Sequence, residues 1–166
     1  MSIVLITGSS GLIGSESVSF FCKKGFEVIG IDNNLREYFF GKDASTFLVK
    51  SALQKKYKSF SSFDCDIRNV NFLEKKFKKY KNNISLIVHC AAQPSHDYAK
   101  NHLNLDFDIN AKGTLILLEL TKKYCPNSPF IFMSTNKVYG DNPNKLDFIE
   151  KKKDGNYLEI ASILVG

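Results

Sequence analysis

Short runs of apolar, often β-branched residues alternate along the chain with longer stretches in which apolar positions recur at helical spacing. The runs are IVLIT at 3–7, FEVIGI at 26–31, ISLIVHC at 84–90 and PFIFMS at 129–134, with a weaker one, SFSSFD, at 59–64. They are largely apolar throughout rather than at every second position, which is the pattern of strands buried on both faces. Helices are predicted between them over 12–24, 45–57, 69–80 and 107–124. In the last of these Ile109, Leu115, Leu117, Leu118 and Leu120 supply apolar surface, and Cys125-Pro126 stops the pattern. Strand–helix alternation of this kind predicts right-handed crossovers and an α/β fold, a doubly wound parallel sheet of about five strands with helices on both faces. The end of the chain differs. Residues 141–156 are loop-like, and the apolar segment 158–166 has no evident partner in such a sheet.

Composition narrows the class. Of 166 residues 43% are hydrophobic, with 14 Phe and 7 Tyr against 24% charged, which excludes a disordered chain and suffices for one self-standing domain. No apolar run approaches the roughly 18 residues of a membrane-spanning helix, so no membrane partner is expected. The start, MSIVLITG, lacks the basic flank and cleavage site of a secretion signal, so the expected location is cytoplasmic. Cys22, Cys65, Cys90 and Cys125 stand singly and read as small core hydrophobes. His89, His96 and His102 have no metal-ligand spacing, and no metal is expected. The net charge of +6 invites a nucleic-acid reading, but of the 23 basic residues only Arg36 and Arg68 are arginines. The lysines fall on solvated helix faces such as 72–83, so no nucleic-acid partner is expected, and the charge favours anionic small molecules.

The strongest local chemistry is TGSSGLIG at 7–14, directly after the first predicted strand and before the first helix. Gly8 permits a tight turn, Gly11 lets backbone approach a pyrophosphate, and Gly14 lets the helix pack closely on the strand. The helix start offers free N–H groups and a positive dipole end to the anion. Asp32 closes the second strand, 18 residues beyond Gly14. A carboxylate there accepts from both ribose hydroxyls of an adenosine and repels a 2′-phosphate, favouring NAD over NADP. Its alternative reading is an Asx turn with Asn33-Asn34. Neither a P-loop nor a nucleophile-elbow motif is present.

With these residues the chain resembles the extended short-chain dehydrogenase/reductase family, and within it the NAD-dependent nucleotide-sugar epimerases and dehydratases. The landmarks run in order: TGSSGLIG at 7–14, Asp32-Asn33, DCDIR at 64–68, HCAAQ at 89–93, NAKGT at 110–114 and STNKVYGD at 134–141. Two of the segments, AAQPSHDYA at 91–99 and STNKVYGD, look most like the CDP-paratose/CDP-tyvelose 2-epimerase branch. The resemblance implies a Rossmann-type NAD-binding domain over 1–141 and a divergent or truncated tail over 142–166, with the family's C-terminal substrate domain absent. It implies cofactor contacts from Gly8, Ser10, Gly11, Leu12, Ile13, Gly14, Asp32 and Asn33. Asp66 would meet the amino edge of adenine, or else cap the helix at 69–80, and Ile67 its face. Ala91, Ala92 and Gln93 would pass beneath ribose and pyrophosphate. Asn110 would stand near the nicotinamide or brace its helix. Ser134 would line the cofactor site, Thr135 would be the catalytic hydroxyl, and Asn136, Lys137, Ser95 and His96 would reach the sugar. His89 is read as a buried strand-end residue.

The family's proton shuttle is a Tyr-x-x-x-Lys pair on the helix after the STNKVYG segment, where lysine lowers the tyrosine's pKa. In this chain only Tyr38 and Lys42 have that spacing, and they follow strand two, on the adenosine side; Tyr157 is followed four residues on by Ala161. The expected function is epimerisation of a nucleotide-activated sugar through a transient keto-sugar, for which this chain supplies the cofactor-binding half. The alternative is a non-catalytic dinucleotide-binding module. The resemblance also implies a homodimer face built partly from residues 97–124.

Overall fold

The computed structural model describes residues 2–134, so Thr135, Asn136 and Lys137 lie outside the described residues. The elements are β1 (Ile3–Thr7), α1 (Leu12–Lys23), β2 (Glu27–Asp32), α2 (Leu35–Phe40), a 3-10 turn (Lys42–Ala44), α3 (Phe47–Lys56), β3 (Phe60–Asp64), α4 (Val70–Tyr80), β4 (Ile84–His89), α5 (His96–Asn101), α6 (Leu103–Phe107), a π turn (Asp108–Lys112), α7 (Gly113–Tyr124) and β5 (Phe130–Phe132). Five strands form one sheet in the order β3-β2-β1-β4-β5, and every neighbouring pair is parallel.

Every side chain of β1 is buried, because β1 lies at the centre of the sheet with helices on both faces. Its alternate residues point to two cores. Leu5 meets Ile31, Ile87, Leu73, Phe77 and Leu117 beneath α4 and α7. Val4 and Ile6 meet Val28, Val88, Phe60, Val18 and Leu53 beneath α1 and α3. The helices read their sequence periods faithfully. The buried residues of α1 are Gly14, Val18 and Cys22, one per turn, and those of α7 are Gly113, Ile116, Leu117, Leu120 and Thr121. All four cysteines are free, and burial pushes the Cys65 and Cys90 thiols up to about 11, so they pack rather than react.

Three differences from the predicted elements are instructive. The short helices α2, α5 and α6 were not foreseen; none contains a fully buried residue, so no apolar stripe marks them. The predicted helix over 107–124 is divided, its first turn widened into the π turn at Asp108–Lys112. Asn69, not Asp66, caps α4, accepting from Phe72 N at 3.1 Å.

A buried polar chain ties together the elements that frame the C-terminal end of β1. Ala91 N–H donates to Thr7 Oγ1 at 3.3 Å, and Thr7 Oγ1 is 2.6 Å from His89 Nδ1. His89 Nε2 is 2.9 Å from Thr114 Oγ1, which donates to Asn110 O at 2.7 Å. With Thr114 donating onward, the consistent assignment puts the imidazole proton on Nε2 and makes Nδ1 the acceptor. Only 1% of His89 is exposed, and burial lowers its pKa to about 4. The neutral ring thus joins β1, β4 and α7.

Two outcomes follow. Phe77→Ala, which empties a fully buried site at the centre of the α4–α7 core, is expected to cost about 3–5 kcal/mol in a urea titration. Because the folded-state pKa of His89 lies below its ordinary 6.5, its neutral form contributes stability that is complete above about pH 6.5 and is lost as pH falls toward 4. Between those limits the wild-type chain is expected to lose roughly 3 kcal/mol more than His89→Gln, which stays neutral.

Candidate functional site

Chain connections leave β1 toward β2 on one side and leave β4 toward β5 on the other, so β1 and β4 are neighbours whose following loops diverge. The crevice between those loops is where an open α/β sheet binds its ligand. Here it is a cleft of about 220 Å³.

The first wall is the Gly-rich turn. Gly8 N–H donates to Ile31 O at 2.8 Å and Gly11 N–H to Gly8 O at 3.1 Å, folding the turn back over β2. Gly8 has φ +64, and a Cβ there would stand 2.7 Å from Ala91 N and 2.8 Å from Cys90 C. It is therefore required twice, by its dihedral and by the close passage of the loop after β4. A Cβ on Gly14 would collide with the carbonyl of Gly8. The close approach at Gly14 is thus to the turn itself, not to the strand as the spacing suggested. Gly11 differs from both. Its φ is −73, and the nearest atom to a Cβ there is Gly8 O at 3.4 Å, so the fold alone does not demand glycine. Gly11 precedes α1 as an N-cap with no side-chain hydrogen bond, which leaves the first-turn N–H groups facing the cleft. Leu12 and Ile13 are 81% and 47% exposed at the same lip. Ser10 is buried, and its hydroxyl has no partner among the described residues.

The second wall holds two carboxylates in different states. Asp32 accepts from Ser10 N at 2.9 Å through Oδ2 and from Asn34 N at 2.8 Å through Oδ1. The Asx turn therefore exists, and the same side chain also pins the Gly-rich turn. Two of its four acceptor positions remain open. Asp66 is saturated. Arg68 N and Nε donate to Oδ1, both at 2.8 Å, while Arg68 Nη2 and Asn33 Nδ2 donate to Oδ2 at 2.7 and 3.0 Å. The Arg68 guanidinium holds the Asp66 carboxyl below its ordinary range. The reading of Asp66 as acceptor for an adenine amino group is corrected accordingly: every acceptor position is taken in this arrangement. Ile67 is 5% exposed and lies against Gly113, where a Cβ would be 2.5 Å from its Cδ1.

The third wall follows β4. Ala91 and Ala92 line the cleft. Gln93, expected at the ligand, does not line it, and of the two readings of Asn110 the structure shows the bracing one; together they fasten the loop. Gln93 N–H donates to Asn110 Oδ1 at 2.9 Å and Asn110 Nδ2 to Gln93 O at 3.1 Å, with Asp106 accepting from both side chains at 3.0 Å. Ser95 caps α5, accepting from Tyr98 N at 3.2 Å, and His96 is its exposed first residue; neither lines the cleft. Ser134 is the last described residue and is exposed.

The cleft therefore gathers Gly8, Gly11, Leu12, Ile13, Gly14, Asp32, Asn33, Asp66, Ile67, Ala91 and Ala92. It also contains Leu35, Arg36, Phe39, Thr46, Pro94 and Ile109, which the sequence reading did not select. Most come from α2 and its surroundings, the element with no periodic signal. Arg36, one of two arginines in the chain, was the available hint.

Known proteins share this arrangement in part. CDP-paratose 2-epimerase of Salmonella typhi is 35% identical over 138 residues, 83% of this chain and 38% of that enzyme. UDP-glucuronate 4-epimerase 4 of Arabidopsis thaliana is 32% identical over 150 residues, 90% of this chain and 32% of that enzyme. Among solved structures, UDP-glucose 4-epimerase from Bifidobacterium longum in complex with NAD+ and UDP superposes with a TM-score of 0.69 at 27% identity, covering 84% of this chain and 38% of that one. The chain spans less than two fifths of the length of each. Residues 4–160 match the NAD dependent epimerase/dehydratase family, and the chain, an α/β protein with the parallel sheet that family uses, belongs to it.

Proposed function

We propose that the cleft beside β1 and β4 binds NAD, and that the chain supplies the cofactor-binding part of a nucleotide-sugar epimerase acting on a CDP-sugar at carbon 2. The observation that carries the cofactor reading is the contrast among the three glycines. Gly8 and Gly14 are closed in by this chain's own backbone, whereas the space at Gly11 is open toward the cleft. A glycine the fold does not need, at an uncapped helix start, suits the approach of a pyrophosphate. The two acceptor positions of Asp32 left open among the described residues fit the same cofactor, matching a pair of ribose hydroxyls and disfavouring a 2′-phosphate, whereas Ser10, buried with its hydroxyl unpartnered among the described residues, does not line the cleft. Leu35, Phe39, Ile67 and Ile109 offer an apolar slot for a base. The specific substrate is supported by the likeness to CDP-paratose 2-epimerase together with the segments at 91–99 and 134–141.

The chemistry NAD would supply in this cleft is reversible hydride acceptance at a sugar carbon. The residues of this chain would hold and orient the cofactor: the first turn of α1 at the phosphates, Asp32 at the adenosine ribose, and Ala91-Ala92 beneath, small enough to let it pass. Thr135 would hydrogen-bond the sugar oxygen being oxidised, with Asn136 and Lys137 beside it. A second copy of the chain is the proposed partner of the apolar surface at Leu103, Phe107, Leu115 and Leu118, all 44% exposed or more.

Calorimetric titration with NADH tests the cofactor reading. The wild-type chain is expected to bind saturably. Gly11→Ala, whose added methyl meets no protein atom closer than 3.4 Å, is expected to keep its melting temperature and weaken binding by roughly tenfold or more. Gly14→Ala should instead lower the melting temperature. A folded wild-type chain that takes up no NADH would overturn the reading.

A further inference from the structure

The loops that follow β2 and β4 belong to opposite sides of the cleft, yet they touch. Phe39 on α2 and Tyr98 on α5 meet with ring centroids 4.8 Å apart at 62°, and Tyr38 approaches Tyr98 at 6.2 Å and 73°. The His102 ring is stacked on Tyr98 at 4.1 Å and 23°, which steadies the tyrosine at the end of α5. Phe39 also forms part of the cleft wall, so the contact ties that wall to the loop after β4.

Beyond these rings, Leu35 and Phe39 of α2 pack in part against the core. Neither α2 nor α5 has a fully buried residue among those described. The α2 excursion is pinned at its base by Asn34, whose Oδ1 accepts from Thr46 N at 2.7 Å and Thr46 Oγ1 at 3.0 Å, and whose Nδ2 donates to Glu37 Oε2 at 2.6 Å and Ser45 Oγ at 3.0 Å. Residues of positive φ stand at both ends of α2, Asn34 at +54 and Gly41 at +86. A short segment without a fully buried residue, seated on the core by Leu35 and Phe39 and tied to α5 by ring contacts at its tip, opens at lower free energy than the sheet beneath it.

We propose that Phe39 and Tyr98, with Tyr38 beside them, form an aromatic clasp that bridges the cleft and sets how fast a bound dinucleotide leaves. The inference rests on the cofactor reading given above. The clasp residues act by positioning α2 against α5 and take no part in hydride or proton transfer. Since neither wall shifts without parting the rings, the exit of a ligand lying beneath requires that contact to break.

Displacement of NADH by excess NAD+, followed by stopped-flow fluorescence, measures the dissociation rate in Tyr98→Leu, Phe39→Leu and the double variant. Each single change is expected to speed dissociation about 5- to 10-fold, the size an aromatic pair supports. The double variant should be no faster than Phe39→Leu alone, which loses the clasp together with Phe39's own place in the base slot, so Tyr98→Leu, outside the cleft lining, carries the test. Hydrogen exchange of the 35–45 amides in the ligand-free chain should rise in Tyr98→Leu, a change remote in sequence, while exchange in β1 stays fixed. Unchanged dissociation alongside tight wild-type binding of NADH overturns the clasp alone, as does unchanged exchange over 35–45. A wild-type chain that binds no NADH overturns the cofactor reading and the retention role together.

Discussion

The structure depends on how closely the turn after β1 lies against the loop after β4. At Gly8 the two backbones pass within a distance that leaves no room for a single methyl group, and that proximity brings both walls of the cleft to one place. Other features serve it. The neutral His89 ring bridges Thr7 and Thr114 and so fixes β1, β4 and α7 relative to one another. The reciprocal amide bonds of Gln93 and Asn110 hold the loop after β4 against the π turn. A charged imidazole in the same position would have nothing to donate its second proton to but a hydroxyl already donating to it, so the network requires the neutral form.

The two aspartates at the strand ends illustrate how one residue type serves different ends through its neighbours. Asp66 follows β3 by two residues, and it is enclosed by Arg68 and Asn33 and has become part of the wall. Asp32 is held by two backbone N–H groups only, which orient it without exhausting it. A carboxylate half satisfied by rigid backbone donors is oriented on folding while part of its acceptor capacity stays unused among the described residues.

The sheet and its main helices were legible in the sequence because burial on both faces writes itself into continuous apolar runs such as IVLIT, and burial on one face into the four-residue spacing of Gly14, Val18 and Cys22. The glycine turn and Asp32 were legible through their place between predicted elements. The α2 and α5 helices were not. They are short, half-exposed and held by side chains such as Asn34 and Tyr98, whose partners lie on other loops, and no local pattern reports such contacts. The sequence left Asp66 between ligand and helix cap and Asn110 between ligand and helix brace, and put Gln93 at the ligand, for one shared cause. Each is a polar residue at a strand end or loop, and whether it faces a ligand or a neighbouring backbone depends on groups such as Arg68 and Asp106 that only the folded chain brings near.

The sheet order has a consequence for the order in which the chain assembles. β1 sits between β2 and β4, with Ile3 opposite Glu27 on one side and Ile84 on the other. The first pairing closes a short loop and the second a long one, and long closures come late in folding and, on a ribosome, late in synthesis. The glycine turn and Asp32 therefore lack the wall they pack against, with one flank of β1 still unpaired, until β4 emerges. In the nascent chain the binding cleft is completed by the last central strand to arrive.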